Sequence, residues 1–134
     1  MEVSLGKVAA DKSVNPAVRQ FGQRMVTDHG KAGEDLAKIA SSKGASLPSE
    51  PAAVQQKETE RLAKLSGPEF DKAYMALMVR DHKADVKEFK RASEKVEDPE
   101  LKAFAATTLT LVQDHLKMAE ELSASLKHEV SMGK

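Results

Sequence analysis

The chain has 134 residues, which is enough for one domain and too few for two of ordinary size. Its 21 Lys and Arg residues balance its 21 Asp and Glu residues, so it lacks the basic surplus of a general nucleic-acid binder or an electrostatic membrane anchor. It contains no cysteine, which excludes disulfides, zinc fingers and thiolate nucleophiles. Aromatic residues make up 4%, with no Trp, which is typical of a helical protein. We therefore predict a single all-α domain over residues 1–134.

No segment of the sequence has the length of a membrane span. The longest apolar run, residues 73–79, is far shorter than the roughly 20 residues that cross a bilayer. No basic start followed by an apolar stretch indicates a signal peptide either. The protein is thus expected to be cytoplasmic, or else to have lost an export segment, and the residues alone do not separate these alternatives.

Proline, glycine and capping residues divide the chain into five predicted helices. Asn15 precedes Pro16 and Asp98 precedes Pro99, and each pair is a strong helix-start signal. The stretch at 44–50, rich in Gly, Ser and Pro, is predicted to be a loop, and Gly67-Pro68 marks the boundary between two further helices. The predicted helices lie at about 2–13, 16–43, 51–65, 68–96 and 99–127.

Three of these helices are long, at about 28 residues or about 42 Å each. Their apolar stripes need partners, which predicts a helical bundle. The link near residues 97–98 is so short that the last two helices must run antiparallel. The short helix at 51–65 is expected to cap or cross the bundle.

One five-residue pattern recurs once on each long helix: an apolar residue, Val, any residue, Asp and His. The copies end at His29, His82 and His115. The positions one turn before and after each His are mostly apolar, so we expect all three imidazoles inside the bundle. His82 lies about as many residues before the 97–98 turn as His115 lies after it, and the difference corresponds to roughly 3 Å along the helices. The two imidazoles should therefore lie at nearly the same level of the bundle. His128 lacks this setting and is expected on a solvated face.

Three imidazoles at one level of a bundle predict a transition-metal site. Neutral imidazole binds Zn²⁺, Cu²⁺, Ni²⁺ and Fe²⁺. Asp85, one turn after His82, and Glu2, on a stripe with Leu5 and Ala9, are the carboxylates best placed to add a ligand. The Asp before each His points about 100° away from it, and would instead orient an imidazole of a neighbouring helix. These outer carboxylates are Asp28, Asp81 and Asp114.

Two further observations leave alternatives open. Met25, Met78 and Met118 each lie one turn from a His; thioethers favour Cu(I), but Met more often fills gaps in a core. Gly22 and Gly33 on the face of His29 either clear space for a ligand or let helices approach closely.

The same pattern also fits roles other than simple metal binding. The histidines and aspartates could form a structural hydrogen-bond network in a stress or scaffold protein. A homo-oligomer is compatible with either the metal-binding or the structural role. An enzyme is a third alternative, at an open metal position. Di-iron Glu-x-x-His is absent, because Val stands three residues before each core His. No phosphate-binding loop or nucleophile elbow is present.

Several segments resemble the bacterial family called domain of unknown function 4142. The resemblance rests on EVSLG at 2–6, FGQRMVTDH at 21–29, Phe70-Asp71 and MVRDH at 78–82, continues to His115, and includes the Leu47-Pro48 loop. It implies a ferritin-like up-down four-helix bundle with an additional short helix. It also implies an exported protein, periplasmic or in the envelope, without its signal peptide. It implies no reaction, because fold does not specify function.

Overall fold

The computed structural model describes residues 2–42 and 53–131, except for the side chains of 2, 53–55 and 128–131. Within these ranges the chain forms five α-helices and no strand, which confirms the all-α prediction. The loop predicted at 44–50 lies outside the described residues. The helices are α1 (Glu2–Lys12), α2 (Pro16–Ser42), α3 (Ala53–Ala63), α4 (Gly67–Lys95) and α5 (Pro99–Ser131).

The two predicted cap residues start α2 and α5. The Oδ1 atom of Asn15 accepts hydrogen bonds from the backbone N–H of Ala17 (2.8 Å) and Val18 (3.3 Å). Asp98 does the same for Glu100 (3.0 Å) and Leu101 (3.1 Å). Each cap satisfies backbone donors that have no partner inside the first turn. These two helices therefore begin where the sequence predicts.

The other helix ends depend on glycine and proline. Gly67 adopts φ 62°, in the left-handed region that favours glycine, and α4 begins there with Pro68 in its first turn. The helix α5 continues to Ser131, four residues beyond its predicted end. No glycine or proline stands between Pro99 and Gly133, so nothing in the sequence stops the helix at residue 127.

Four of the helices contact one another in a closed order. The contact between α4 and α5 is the most extensive, and the contact between α1 and α2 is next. Helix α2 also contacts α5, and α1 contacts α4, while the short α3 lies against α4 and α1. Because only three residues separate α4 from α5, these long helices run antiparallel, as predicted. No helix in the described part of the chain is long and apolar enough to cross a membrane.

The apolar core packs against the histidine cluster through its aromatic residues. The rings of Phe70 and Tyr74 stack with centroids 5.6 Å apart, and Phe21 meets Tyr74 edge-on at 6.1 Å. Phe21 in turn contacts His82 edge-on at 6.4 Å. The aromatic part of the core therefore ends directly against the histidine cluster. Leu5, Val18, Met25, Leu62, Met75 and Met78 are fully buried around it.

Helices α1 and α2 approach each other through two glycines. A Cβ atom on Gly22 would lie 2.8 Å from the Cβ of Ala9 and 2.8 Å from the backbone oxygen of Gly6. A Cβ on Gly6 would lie 2.6 Å from the oxygen of Gly22. Of the two roles open to Gly22, the close helix approach is therefore the observed one. A Cβ on Gly33 would meet nothing within 4 Å, so that glycine faces open space.

Candidate metal centre

The three predicted histidines meet between α2, α4 and α5. The Nε2 atoms of His29 and His82 are 3.4 Å apart, and the Nδ1 atom of His115 is 3.2 Å from the same His29 nitrogen. One ring nitrogen from each residue lies within 4.8 Å of the other two. His82 and His115 are completely buried and His29 is half-buried. The equal spacing about the 97–98 turn thus brings the two α4 and α5 imidazoles to one level, as predicted.

His82 is oriented by its own helix. Its Nδ1 atom lies 2.8 Å from the backbone oxygen of Met78, one turn earlier on α4. A carbonyl oxygen only accepts hydrogen bonds, so Nδ1 carries the proton and donates. In the neutral ring, Nε2 then holds a lone pair, and this is the atom directed at His29.

His115 is oriented by a carboxylate on another helix. Its Nε2 atom lies 2.8 Å from Oδ2 of Asp28 on α2, and it donates the hydrogen bond because a carboxylate accepts. The same oxygen accepts a hydrogen bond from Nε of Arg24 at 3.0 Å. The lone pair of neutral His115 is consequently on Nδ1, the atom that faces His29. Asp28 thus hydrogen-bonds an imidazole of a neighbouring helix, which is compatible with the orienting role expected of the outer carboxylates.

The environment fixes the charges of this pair. Burial raises the pKa of Asp28, but the hydrogen bonds from His115 and Arg24, together with the positive charge of Arg24, outweigh it and hold that pKa below its ordinary value of 3.8. Burial lowers the pKa of His115 below its ordinary 6.5, a shift that the hydrogen bond to Asp28 opposes and the neighbouring His82 reinforces. At neutral pH the pair is therefore an ionised carboxylate and a neutral imidazole.

The spacing of the nitrogens around His29 is compatible with a bound cation. Lone pairs of His82 and His115 both approach Nε2 of His29, and a single proton on that atom makes a good hydrogen bond with only one of them. A metal ion accepts all three lone pairs at once. Metal–nitrogen bonds of about 2.05 Å at tetrahedral angles place ligand nitrogens about 3.3 Å apart. The two closest nitrogen pairs, at 3.4 and 3.2 Å, match that spacing.

The other predicted carboxylates take different positions. Asp85 lines a cavity of about 290 Å³ together with His29. Asp81 is half-buried, with an oxygen 3.6 Å from Nε of Arg80. Asp114 is exposed and lines a separate cavity with Asp28. The side chain of Glu2, like that of His128, lies outside the described residues.

The methionines near the histidines are mostly core residues. Met25 and Met78 are fully buried and belong to the main apolar cluster. Met118 is half-buried, and its sulfur accepts a contact from Nη1 of Arg24 at 3.9 Å. This agrees with the interpretation that Met fills gaps here.

Sequence reasoning missed Arg24. It binds the carboxylate that orients His115 and extends the cluster to the surface, with its side chain 52% exposed. The spacing of four residues between Arg24 and Asp28, on one helix face, was the signal that could have revealed it.

The comparison with known families gives a match over nearly the whole chain. The family model described as "Domain of unknown function (DUF4142)" matches residues 1–122. The chain belongs to the DUF4142 family. No curated protein and no solved structure matches it significantly. The family description names no activity, so the chemistry of this DUF4142 protein has to be argued from its own residues.

Proposed function

We propose that this DUF4142 protein binds one transition-metal ion through His29, His82 and His115. The observation that carries the proposal is the orientation of two buried rings. His82 and His115 each donate their one N–H away from the cluster, to Met78 and Asp28, and direct their lone pairs at His29. Hydrogen bonds of this kind, to a backbone carbonyl or a carboxylate, are how proteins orient metal-binding histidines.

The donor set narrows the identity of the metal. Three neutral imidazoles suit Zn²⁺, Cu²⁺, Ni²⁺ or Fe²⁺, and disfavour the hard cations that prefer oxygen ligands. Asp85 shares a cavity with His29 but lies outside the group of donor atoms within 4.8 Å of one another, so it stays a candidate ligand that would have to move toward the ion. Glu2 stays a candidate by its place on the α1 stripe with Leu5 and Ala9, both fully buried. Thioethers favour Cu(I) when they bind the ion. Because Met25 and Met78 belong to the apolar core cluster, they do not single out Cu(I) among these metals.

Two wider proposals accompany the metal site. We propose that the helices form a ferritin-like up-down four-helix bundle with α3 as the additional short helix. The contacts of α1 with α2, α2 with α5, α5 with α4 and α4 with α1 support it. We also propose that the protein is exported to the periplasm or envelope, a proposal that rests on the family resemblance alone.

A structural role is the second candidate function. In it, the bond from His115 to Asp28 and the bond from His82 to Met78 hold the helices in register without a metal, as in a stress or scaffold protein. The observation in its favour is that both buried rings already have a hydrogen-bond acceptor. The close approach of His29 to both His82 and His115 supports the metal-binding role over the structural one, because a single proton on His29 can bridge to only one of the two rings. An enzymatic role would additionally require a Lewis-acid ion with an open position.

Metal titration separates these candidates. The protein, purified without an affinity tag, is dialysed against Zn²⁺, Cu²⁺ and Ni²⁺, and bound metal is counted by elemental analysis. We expect one ion per chain, bound more tightly than about 1 μM for at least one metal. The triple variant with Ala at His29, His82 and His115 should lose it, whereas His128→Ala should not. Binding weaker than micromolar, or unchanged binding in the triple variant, would contradict the proposal.

A further inference from the structure

The ion held by three imidazoles would still lack a ligand. Among the described residues, the donor atoms that lie within 4.8 Å of one another come from His29, His82 and His115 only. Zinc-type ions in proteins take four ligands, and an ion with three protein ligands completes its set with an exchangeable molecule. Such a molecule has to reach the ion from a side that the protein leaves open.

Two of the three imidazoles offer no access from solvent. His82 and His115 are 0% exposed, and the nitrogen of His115 that is turned away from the cluster is blocked by its proton and by Asp28. Phe21 covers the core side of His82. Access therefore has to pass His29, the half-buried member of the cluster.

His29 lines the cavity of about 290 Å³ that also contains Asp85. This volume is far above the roughly 15 Å³ that one water molecule requires. Most of its walls are apolar, including Leu36, Phe89 and Phe104, with Thr108 as a further polar group. Apolar walls favour molecules that give up their hydration easily, while the few polar groups in the lining fix the orientation of the ligand.

We propose that this cavity is the binding pocket for a small, weakly hydrated donor ligand of the metal, a molecule or ion of a few atoms. The inference rests on the proposed metal site. The open coordination position then lies on the side of His29 that faces Asp85, Phe89 and Phe104, and the ligand that enters there is small and weakly hydrated.

Two glycines on α2 allow a matched test. Gly33 lines the cavity, and a Cβ there meets nothing within 4 Å, so a longer side chain would enter the space. Gly30 is one turn earlier on the same helix, its Cβ also meets nothing within 4 Å, and it does not line this cavity. Gly33→Leu and Gly30→Leu carry the same change in helix propensity, and differ in whether they fill the pocket.

The experiment uses the Co²⁺-loaded full chain, with azide as the probe. Metal content is measured first in each variant, and azide is then titrated while the visible absorption of the cobalt ion is followed. We expect a saturable spectral change in the wild type and in Gly30→Leu. In Gly33→Leu, azide should bind about tenfold more weakly or not at all, because the side chain occupies the ligand's space, while cobalt content stays the same.

The outcomes distinguish the two proposals. Absence of bound metal in the wild type, with Co²⁺ as with Zn²⁺, Cu²⁺ and Ni²⁺, would overturn the metal site itself. Bound cobalt with no azide response in the wild type would overturn the pocket alone, as would equal azide affinities in Gly33→Leu and Gly30→Leu. Circular dichroism checks that each variant is folded. If Gly33→Leu is not folded, Gly33→Ala gives the same comparison with a smaller expected loss against Gly30→Ala.

Discussion

The imidazole of His115 on α5 donates a hydrogen bond of 2.8 Å to Asp28 on α2, across the helix interface. Asp28 belongs to the motif copy that contains His29, so one copy of the repeated pattern supplies both a ring of the proposed metal site and the carboxylate that hydrogen-bonds another. Arg24 donates to the same carboxylate oxygen at 3.0 Å and favours its ionised form. The three residues link the buried cluster to the surface of α2.

Removing this carboxylate should weaken metal binding. We expect Asp28→Ala to lower the affinity for Zn²⁺ by about 10- to 100-fold, because such partners fix the tautomer and orientation of a ligand ring. The control is Asp114→Ala, which changes the equivalent residue of another motif copy at an exposed position. Competition with a zinc chelator of known affinity measures both. Equal affinities in the two variants would exclude an orienting role for Asp28.

Acid should destabilise the metal-free protein at mildly acidic pH. The pKa of His115 is lower in the folded chain than its ordinary 6.5. Just below pH 6.5 the unfolded chain is therefore protonated at this residue while the folded chain is not, which favours unfolding. The stability it contributes is complete above pH 6.5 and is lost as the pH falls from there toward the folded pKa. Urea unfolding between pH 5 and 8, with no metal present, should show this loss of stability. The dependence of the free energy of unfolding on pH should be weaker in His115→Gln. An unchanged dependence would mean that other groups cause the loss of stability.

The crossing of α1 and α2 should not tolerate a side chain at Gly22. We expect Gly22→Ala to reduce the free energy of unfolding by about 1–3 kcal/mol, because its Cβ would overlap Ala9 and the Gly6 backbone. Gly30→Ala, in the same helix but facing open space, should instead add up to about 1 kcal/mol. Denaturant unfolding of both variants tests the pair. A stabilising Gly22→Ala would mean that the helices are farther apart than described.

Replacing His82 by Leu separates metal binding from scaffolding. His82 is fully buried against Phe21, so an apolar side chain of similar size should keep the metal-free stability within about 1 kcal/mol. The wild type should gain about 4 kcal/mol at a zinc concentration a thousand times its dissociation constant, and His82→Leu should gain nothing. Thermal or urea unfolding with and without Zn²⁺ gives both values. Equal zinc stabilisation of the two proteins would place the ion elsewhere.

The sequence predicted the helices and the level of the histidines because both depend on local rules. The caps at Asn15 and Asp98 act through hydrogen bonds to the next two or three residues. The common level of His82 and His115 follows from a short turn and a constant rise per residue. These features need no knowledge of how the helices rotate against one another.

The finer arrangement of the site depends on that rotation and was not predictable. Three equivalent aspartates were candidates to orient a ring, and in the described structure it is Asp28 that reaches one across the interface, at His115, while Asp114 is exposed. Gly22 and Gly33 looked alike as helix glycines, yet one meets a neighbouring helix and the other faces a cavity. A single sequence states which face is apolar, but it does not state which partner each side chain meets.

The most direct test of the account is X-ray absorption at the metal edge of the zinc-loaded protein. We expect three imidazole nitrogens at about 2.0–2.1 Å from the ion, with at most one further oxygen or nitrogen ligand and no sulfur. The His128→Ala variant should give the same spectrum, and His82→Leu should lose it. A set of oxygen ligands without imidazole, or a set that contains methionine sulfur, would contradict the assignment of His29, His82 and His115 as the metal site.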